Sequence, residues 1–447
     1  MSYKSYFKNK KITLMGLGVL GRGVGVAKFL ADCGAVLTVT DLKSHRELKQ
    51  SLQELKRYKN IRYVLGRHDL KDFKDCDMVI KAAGVPLDSP YIKEAHKNKI
   101  PVEMDASLFA KLSGAKVIGI TGTRGKSTVT FLVSRILKQA GRPVLVGGNI
   151  RGGSSLPLLK KAKPGDYAVL ELDSWQLQGF GDSKLSPHVG VFTTFFPDHL
   201  NYYGGSMQKY FNDKANVFKY QDKEDFLVTQ RKFLPVIRKF YKRKIKSRII
   251  AVSSQDPPKS YKLKIPGEHN RDNAALAIGV GRALRIKEAV IRKAVENFRG
   301  VPGRLEYLNT VRGIKIYNDN NSTTPEATIA GLKALDLTGS RNIVLIMGGS
   351  DKGLNMAGLL SEVKKRCRAV VLIEGSGTEK IKPQVLKIKN IAVHRSRDLK
   401  DCIKSAIGMA ERGDIILFSP AFASFGRLFR NEYDRNDQFV KIVNGLR

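Results

Sequence analysis

"GITGTRGKST", residues 119–128, decides how this chain of 447 residues folds. An apolar run, Val117 to Ile120, leads into it, and an apolar-periodic segment, Val129 to Leu137, follows it. The pattern predicts a strand, a glycine turn and the opening of a helix, the arrangement that cradles phosphate with backbone N–H groups. In a Walker A loop a further glycine stands five positions before the last one, and here that position is Ile120, so the spacing is not the standard one. What remains is Gly122, Thr123, Gly125, Lys126, Ser127 and Thr128 as a candidate ATP-binding set. Loop amides would hold polyphosphate, Lys126 would add positive charge, and Ser127 could reach a Mg²⁺. The plainer alternative is a glycine turn with a solvated lysine. Gly-Lys-Ser opening a helix after a strand argues against it.

A second glycine loop lies near the N-terminus. Gly16, Gly18 and Gly21 form a G-x-G-x-x-G directly after the apolar "KITLM", and Asp41 stands at the end of the next strand-like run, "AVLTVT". Taken alone this is the dinucleotide fingerprint, with the acid placed for a ribose hydroxyl, and it would allow an NAD(P)-dependent oxidoreductase. It would equally allow a turn that binds nothing.

Working outward, strand-like runs alternate with helical stretches along the whole chain. "DMVIKAAG" closes a first block; "YAVLEL", "VGVFTT" and a helix over 270–284 belong to a second. "RNIVLIMGG", "AVVLIEGSG" and "DIILFSPAF" form a third, after "RGVPGRLE". Alternation of this kind predicts parallel sheets with crossover helices. The expected architecture is α/β in three domains: Rossmann-like over 1–110, a P-loop ATPase-like parallel sheet over 111–300, and Rossmann-like again over 301–447.

Lys and Arg outnumber Asp and Glu by 79 to 41, a net charge of +38. The one local concentration is "RKFLPVIRKFYKRKIKSR", residues 231–248, where aromatics interleave with cations. A nucleic-acid patch reads this way, but so does a solvated face in a chain that is basic throughout, and no recognition motif accompanies the run. A diffuse positive field also suits a polyanionic substrate. The four cysteines, Cys33, Cys76, Cys367 and Cys402, lie far apart without metal-ligand spacing, as expected of reduced thiols in a cytoplasm. No stretch has the length of apolar sequence that a membrane span needs, and Arg22 and Lys28 interrupt the apolar N-terminal run.

Around the central loop, further motifs fall in a fixed order: "GGNI" (147–150), "LELDSWQL" (170–177), "DHLNYYGG" (198–205), "GEHNRDN" (267–273), "GVPGRLE" (300–306), "YNDNNSTTPEAT" (317–328), "MGGSDKG" (347–353) and "LFSPAFASFG" (417–426). Together with the loop they resemble the Mur ligase family over nearly the whole chain. The resemblance implies an amide ligase that activates a carboxylate with ATP as an acyl phosphate and lets an amine attack it, using ATP and Mg²⁺. An N-terminal G-x-G-x-x-G domain with a C-terminal "NEYDRNDQF" further implies the type that adds D-glutamate to UDP-N-acetylmuramoyl-L-alanine, in peptidoglycan precursor synthesis. A cytoplasmic monomer is implied, without membrane insertion or a specific nucleic-acid partner.

The resemblance also implies roles for individual residues. Gly18, Val19, Leu20, Asp41, Lys43 and Asn149 would bind the UDP substrate. Lys126 would meet the γ-phosphate, and Ser127 with Glu171 would hold Mg²⁺. His199 would hold a second Mg²⁺ or orient the amine. Lys214 matches the family lysine that is carbamylated, since an ammonium cannot ligate Mg²⁺ and an N-carboxylated lysine can. Asn270 and Asn273 would contact adenine or ribose, Arg304 the phosphates, and Asp319 the ribose. Lys352, Ser424, Asn320, Asn321 and Thr323 would form the amino-acid site. Three departures stand out. Asn320 and Asn321 replace a serine and a lysine, Gly303 replaces a histidine, and Asp173 replaces a serine. A ligase for another amino acid, such as L-alanine or a diamino acid, is the alternative they leave open.

Overall fold

The structure, a computed structural model, describes residues 2–150, 153–336, 339–424 and 428–446. It contains three sheets, one for each alternating block of the sequence. The chain forms two compact units: residues 1–259 with 272–295 hold the first two sheets, and residues 260–271 with 296–447 hold the third.

The first sheet is parallel, in the spatial order Ile61–Leu65, Val36–Asp41, Lys11–Met15, Met78–Lys81, Val102–Glu103. Chain order reverses between Lys11–Met15 and Met78–Lys81, which opens a ligand crevice at their C-terminal ends. Gly16 sits at that point with φ +98°, and a Cβ there would lie 2.7 Å from the Cβ of Ala82, so only glycine fits.

The second sheet has six parallel strands, in the order Arg248–Val252, Phe226–Gln230, Val189–Phe192, Lys116–Thr121, Tyr167–Glu171, Val144–Gly148. Register places Ile120 beside Glu171 and Thr121 beside Phe192. The loops after these strands therefore emerge along one edge, around the strand where the order reverses. Helix Lys126–Gln139 starts there and buries Val129, Leu132, Val133, Ile136 and Leu137, a helical-period face. Each such side chain contributes about 1.5–3 kcal/mol when fully buried.

The first two sheets share one core, which runs from Phe7, Leu14 and Phe29 through Phe109 and Val117 to Phe192 and Phe211. Helix Asp105–Leu112 lies within it, and the Asp105 carboxylate accepts the Ser155 and Leu156 amides at 2.7 Å. The passage near residue 110 is thus packed, not an exposed linker.

The basic run resolves into helix Leu234–Tyr241 with an inward and an outward face. Ile237 is buried, Phe240 stacks on Phe211 at 5.3 Å, and Tyr241 meets Phe218 at 5.0 Å. Arg238, Lys239, Lys242, Arg243 and Lys244 are exposed. The aromatics serve the core and the cations are solvated.

In the third sheet the order is Glu306–Val311, Ile314–Asn318, Ile415–Phe418, Ile343–Gly348, Cys367–Ile373, Ala392–Ser396. The first pair is antiparallel, unlike the rest. Its turn holds Arg312 at φ 53° and Gly313 at φ 80°, the left-handed pair a tight hairpin demands. Asn318 pairs with Phe418, and Phe418 with Ile346, so the loops after these three strands leave the sheet side by side. Among the described residues, no helix is long and apolar enough to cross a membrane.

Candidate active site

At the edge of the second sheet the glycine loop is fixed by its neighbours. Gly122 has φ +141°, and a Cβ there would lie 2.0 Å from the Thr193 hydroxyl; Gly125 has φ +86°, and a Cβ there would lie 2.4 Å from Asn273 Oδ1. Thr123 N–H donates to the Thr194 carbonyl at 2.9 Å, and Arg124 N–H donates to Thr194 Oγ1 at 2.8 Å. These bonds hold the loop against the segment that leads to His199, and Arg124 reaches Asp198 at 3.5 Å.

Two amines converge on one carbonyl. Lys126 Nζ and Lys214 Nζ each donate to Gly122 O at 3.0 Å, and Lys126 also reaches Thr123 O at 3.2 Å. Lys214 is buried on helix Met207–Ala215, with its amine 4.7 Å from the ring centre of Tyr210. Burial, reinforced by the neighbouring Lys126 charge, holds the Lys214 pKa well below the ordinary lysine value. A neutral amine is the form that adds CO₂, as the carbamylation implied by the resemblance would require.

Ser127 Oγ donates to Glu171 Oε2 at 2.5 Å, and both side chains are buried. Two hard oxygen donors at a phosphate loop fit Mg²⁺, which usually retains water and takes few protein ligands. Among the described residues no group of three His, Cys, Asp or Glu gathers as a ready-made cage. His199 has φ 52°, and its ring lies 4.7 Å from that of Trp175. Partial burial lowers its pKa against the opposing effect of Asp198, which leaves a neutral imidazole able to ligate or to accept a proton.

At the first glycine loop the structure changes the role of the acid. Asp41 Oδ2 accepts the Leu17 and Gly18 amides at 2.9 Å, and Oδ1 accepts the Lys43 amide at 2.8 Å. The carboxylate braces the loop from inside and occupies amides that a dinucleotide pyrophosphate would need. Asp41 thus braces the loop from which it was expected to reach a ribose hydroxyl. Val19, Leu20 and Lys43 remain exposed beside it. Asn149 comes from the second sheet, its amide on the Glu171 carbonyl at 2.7 Å.

Within the second unit the expected amino-acid residues gather at the edge of the third sheet. Lys352 Nζ donates to Thr323 Oγ1 at 3.1 Å, and Ser350 pairs with Ala423, next to the buried Ser424. Ser424 lines a cavity of about 580 Å³ together with Gly349, Ser350 and Arg395. Four of the expected site residues bond to groups of the protein itself. Asn320 is fully buried: its Oδ1 accepts from Arg435, and its Nδ2 donates to the Glu432 carbonyl at 2.9 Å. It faces the protein, with both ends of its amide bonded there. Asp319 is likewise turned inward; it accepts from Leu305 N at 3.0 Å, Ser322 Oγ at 2.5 Å and Ser419 Oγ at 2.9 Å. Burial raises its pKa to about 6, an effect that those bonds and Arg304 oppose. Asn270 donates to the Pro266 carbonyl at 2.7 Å. Asn321 is half-buried, within 3.4 Å of the Pro302 carbonyl.

The other two departures have local causes. Gly303 has φ +71°, and a Cβ there would lie 2.8 Å from Asn436 Oδ1, so a histidine would not fit this backbone. Asp173 caps helix Ser174–Asp182, accepting the Gln176 amide at 2.7 Å in a capping box, work that a serine does equally well.

Three family models match in sequence order: "Mur ligase MurD-like, N-terminal domain" over residues 10–103, "Mur ligase middle domain" over 120–257, and "Mur ligase, glutamate ligase domain" over 303–422. The UDP-N-acetylmuramoylalanine–D-glutamate ligase of Borreliella burgdorferi is 35% identical, with 98% of each chain covered. This chain belongs to the Mur ligase family. The enzyme of the same name from Streptococcus agalactiae is 34% identical over 99% of this chain and 98% of its own. In fold, the Mur ligase is similar to the UDP-N-acetylmuramate-alanine ligase MurC of Thermotoga maritima, at a TM-score of 0.63 and 21% identity, covering 98% of this chain and 99% of that one. It is an ATP-dependent acid–amino-acid ligase of peptidoglycan precursor synthesis.

One buried lysine, at the end of a first-sheet strand, carries little sequence signal. Lys81 is 2% exposed at the first-sheet crevice, donating to Val85 O at 3.0 Å and Gln178 Oε1 at 3.3 Å. Gln178 in turn donates to Asp213 at 2.8 Å, immediately before Lys214. Burial pushes the Lys81 pKa down to about 8. Only the charge of a lysine inside an apolar strand could have singled it out.

Proposed function

We propose that this Mur ligase joins D-glutamate to the carboxylate of UDP-N-acetylmuramoyl-L-alanine. The observation that bears most weight is the second-sheet edge, where Lys126 and Lys214 meet at Gly122 O beside the Ser127–Glu171 pair. Loop amides and Lys126 position the triphosphate and offset the charge that spreads over the transferred group. Ser127 and Glu171 would hold Mg²⁺, which when bound neutralises phosphate charge. A carboxylate oxygen of the UDP substrate attacks the γ-phosphorus and ADP leaves. The amine nitrogen of the acceptor then attacks the acyl carbon; phosphate leaves and the nitrogen loses a proton. Neutral His199 is suited to orient that amine or to hold a second Mg²⁺, and N-carboxylated Lys214 would supply oxygen ligands.

The D-glutamate assignment draws on the MurD-like N-terminal match, the two relatives above, and the gathering of Lys352, Thr323 and Ser424. Such an enzyme would act in the cytosol, as a monomer, on nucleotide-linked precursors. Phosphate release from ATP, measured with UDP-N-acetylmuramoyl-L-alanine and a panel of amino acids, tests it. D-Glutamate should give the highest kcat/KM. A preference for L-alanine or a diamino acid would overturn it.

A further inference from the structure

Arg435 belongs to no glycine loop, yet among the described residues it is the largest fully buried side chain. It sits on helix Glu432–Asn444, whose first turn is capped by Asn431 through the Tyr433 and Asp434 amides, both at 3.0 Å. Its guanidinium reaches two separate loops. Nε donates to Asn320 Oδ1 at 2.7 Å and Nη2 to the Asn320 carbonyl at 2.9 Å, while Nη1 points at the Phe422 carbonyl at 3.5 Å. Asn320 answers by donating to the Glu432 carbonyl at 2.9 Å, on the same helix turn. Among the described residues no carboxylate forms an ion pair with Arg435. Its hydrogen bonds all go to neutral oxygens.

The two loops it grips are the ones on which the acceptor residues stand. Thr323, bonded to Lys352, follows Asn320 by three positions. Ser424 follows Phe422 by two, and Ala423 between them pairs with Ser350 of the "MGGSDKG" turn. Ala421 N–H donates to the Ser322 carbonyl at 2.8 Å, a second tie between the same loops. Asp319, by contrast, is anchored through Leu305, Ser322 and Ser419 without help from Arg435.

We propose that Arg435 is a positioning residue for the acceptor amino acid: its buried guanidinium clamps the 319–323 loop to the 419–424 loop, and Asn320 serves that clamp instead of the substrate. A planar fork with fixed N–H directions can hold a side-chain oxygen and a backbone oxygen of one residue together, which a lysine ammonium cannot do with the same rigidity. The asparagine that departs from the family pattern is thereby explained by its partner and not by the ligand. The identity of the acceptor rests on the function proposed above; the clamp does not.

The test uses the full-length enzyme with Asn320→Ala and Arg435→Lys. Steady-state KM is measured for the acceptor, ATP and the UDP substrate, and hydrogen exchange is followed in peptides covering the two loops. Both variants should raise the acceptor KM about tenfold or more, leave the ATP KM within about twofold, and speed exchange in both loops; tenfold corresponds to about 1.4 kcal/mol. An unchanged acceptor KM, unchanged exchange in the 419–424 loop, or equal rises in the ATP and acceptor KM values would each overturn the clamp. If Arg435→Lys does not fold, Asn320→Ala alone decides, since it removes one hydrogen-bonding side chain and leaves the guanidinium its backbone acceptor. If the wild type proves to use another amino acid, the D-glutamate assignment fails. The clamp is then judged by exchange and by the KM for that amino acid.

Discussion

Two lysine amines aimed at one carbonyl oxygen is an arrangement that two full positive charges would resist. The burial of Lys214 removes the conflict by favouring its neutral form. From this come two expected outcomes. Lys126→Ala should abolish turnover while the far-ultraviolet spectrum and the melting temperature stay near wild type, because Lys126 contributes charge to phosphoryl transfer and little packing. Near-wild-type ligation by that variant would remove the ligase mechanism. Lys214→Ala should also be inactive, and added formate should restore part of the activity by supplying the missing carboxylate oxygens; a fully active Lys214→Ala enzyme would return this lysine to a structural role. Asp319 offers a test in pH. Its pKa is raised from 3.8 to about 6 in the folded protein, so the folded state binds its proton more tightly than the unfolded state does. The resulting stabilisation is present below about pH 3.8 and is lost as the pH rises through about 6. That difference amounts to roughly 3 kcal/mol. Urea titrations should therefore show wild type losing roughly 3 kcal/mol more than Asp319→Asn between about pH 3 and pH 8. Parallel curves for the two proteins would mean that Asp319 titrates normally.

At the scale of elements, local rules and long-range pairing part company. "KITLM" coincides with strand Lys11–Met15, and the apolar runs at 341–349, 369–377 and 414–422 each overlap a strand of the third sheet, because a strand buried on both faces has to be continuously apolar. The antiparallel hairpin Glu306–Asn318 was not legible. Its partial burial gives no clean run, and its turn is an Arg-Gly pair in place of the usual Asn-Gly. The direction of Asn320 was equally hidden, since its partner stands more than a hundred residues away and no periodicity links them. Asp173 shows the opposite case, a departure that local chemistry makes harmless. Asp173→Ser should leave stability within about 0.5 kcal/mol, whereas Asp173→Ala should cost about 1 kcal/mol through loss of the N-cap. A serine variant as unstable as the alanine one would mean that the aspartate charge, not its cap, holds the helix.

Over the whole molecule, the net charge of +38 has to be reconciled with a ligase that binds two polyanions. Along the 231–248 run the aromatics pack inward and the cations face water, so no stacking platform for bases accompanies the charge there. A diffuse positive field would draw anionic substrates and would be weakened by salt. Counter-ions screen exposed charges over roughly 10 Å at about 0.1 M ionic strength. Raising the ionic strength should thus increase the KM for the UDP substrate several-fold and change kcat less, because the transferred group sits in a loop whose charges are partly buried. Location provides the sharper test. Reversing Lys239, Lys242 and Lys244 on the basic run should lower kcat/KM, and so should reversing Lys364, Lys387 and Lys389, which are exposed in the second unit. In a diffuse field many scattered charges contribute, so neither triple is unique in its effect and both effects shrink as salt is raised. A loss confined to the first triple variant, accompanied by salt-sensitive binding of arbitrary DNA to wild type, would instead make the run a dedicated anion surface.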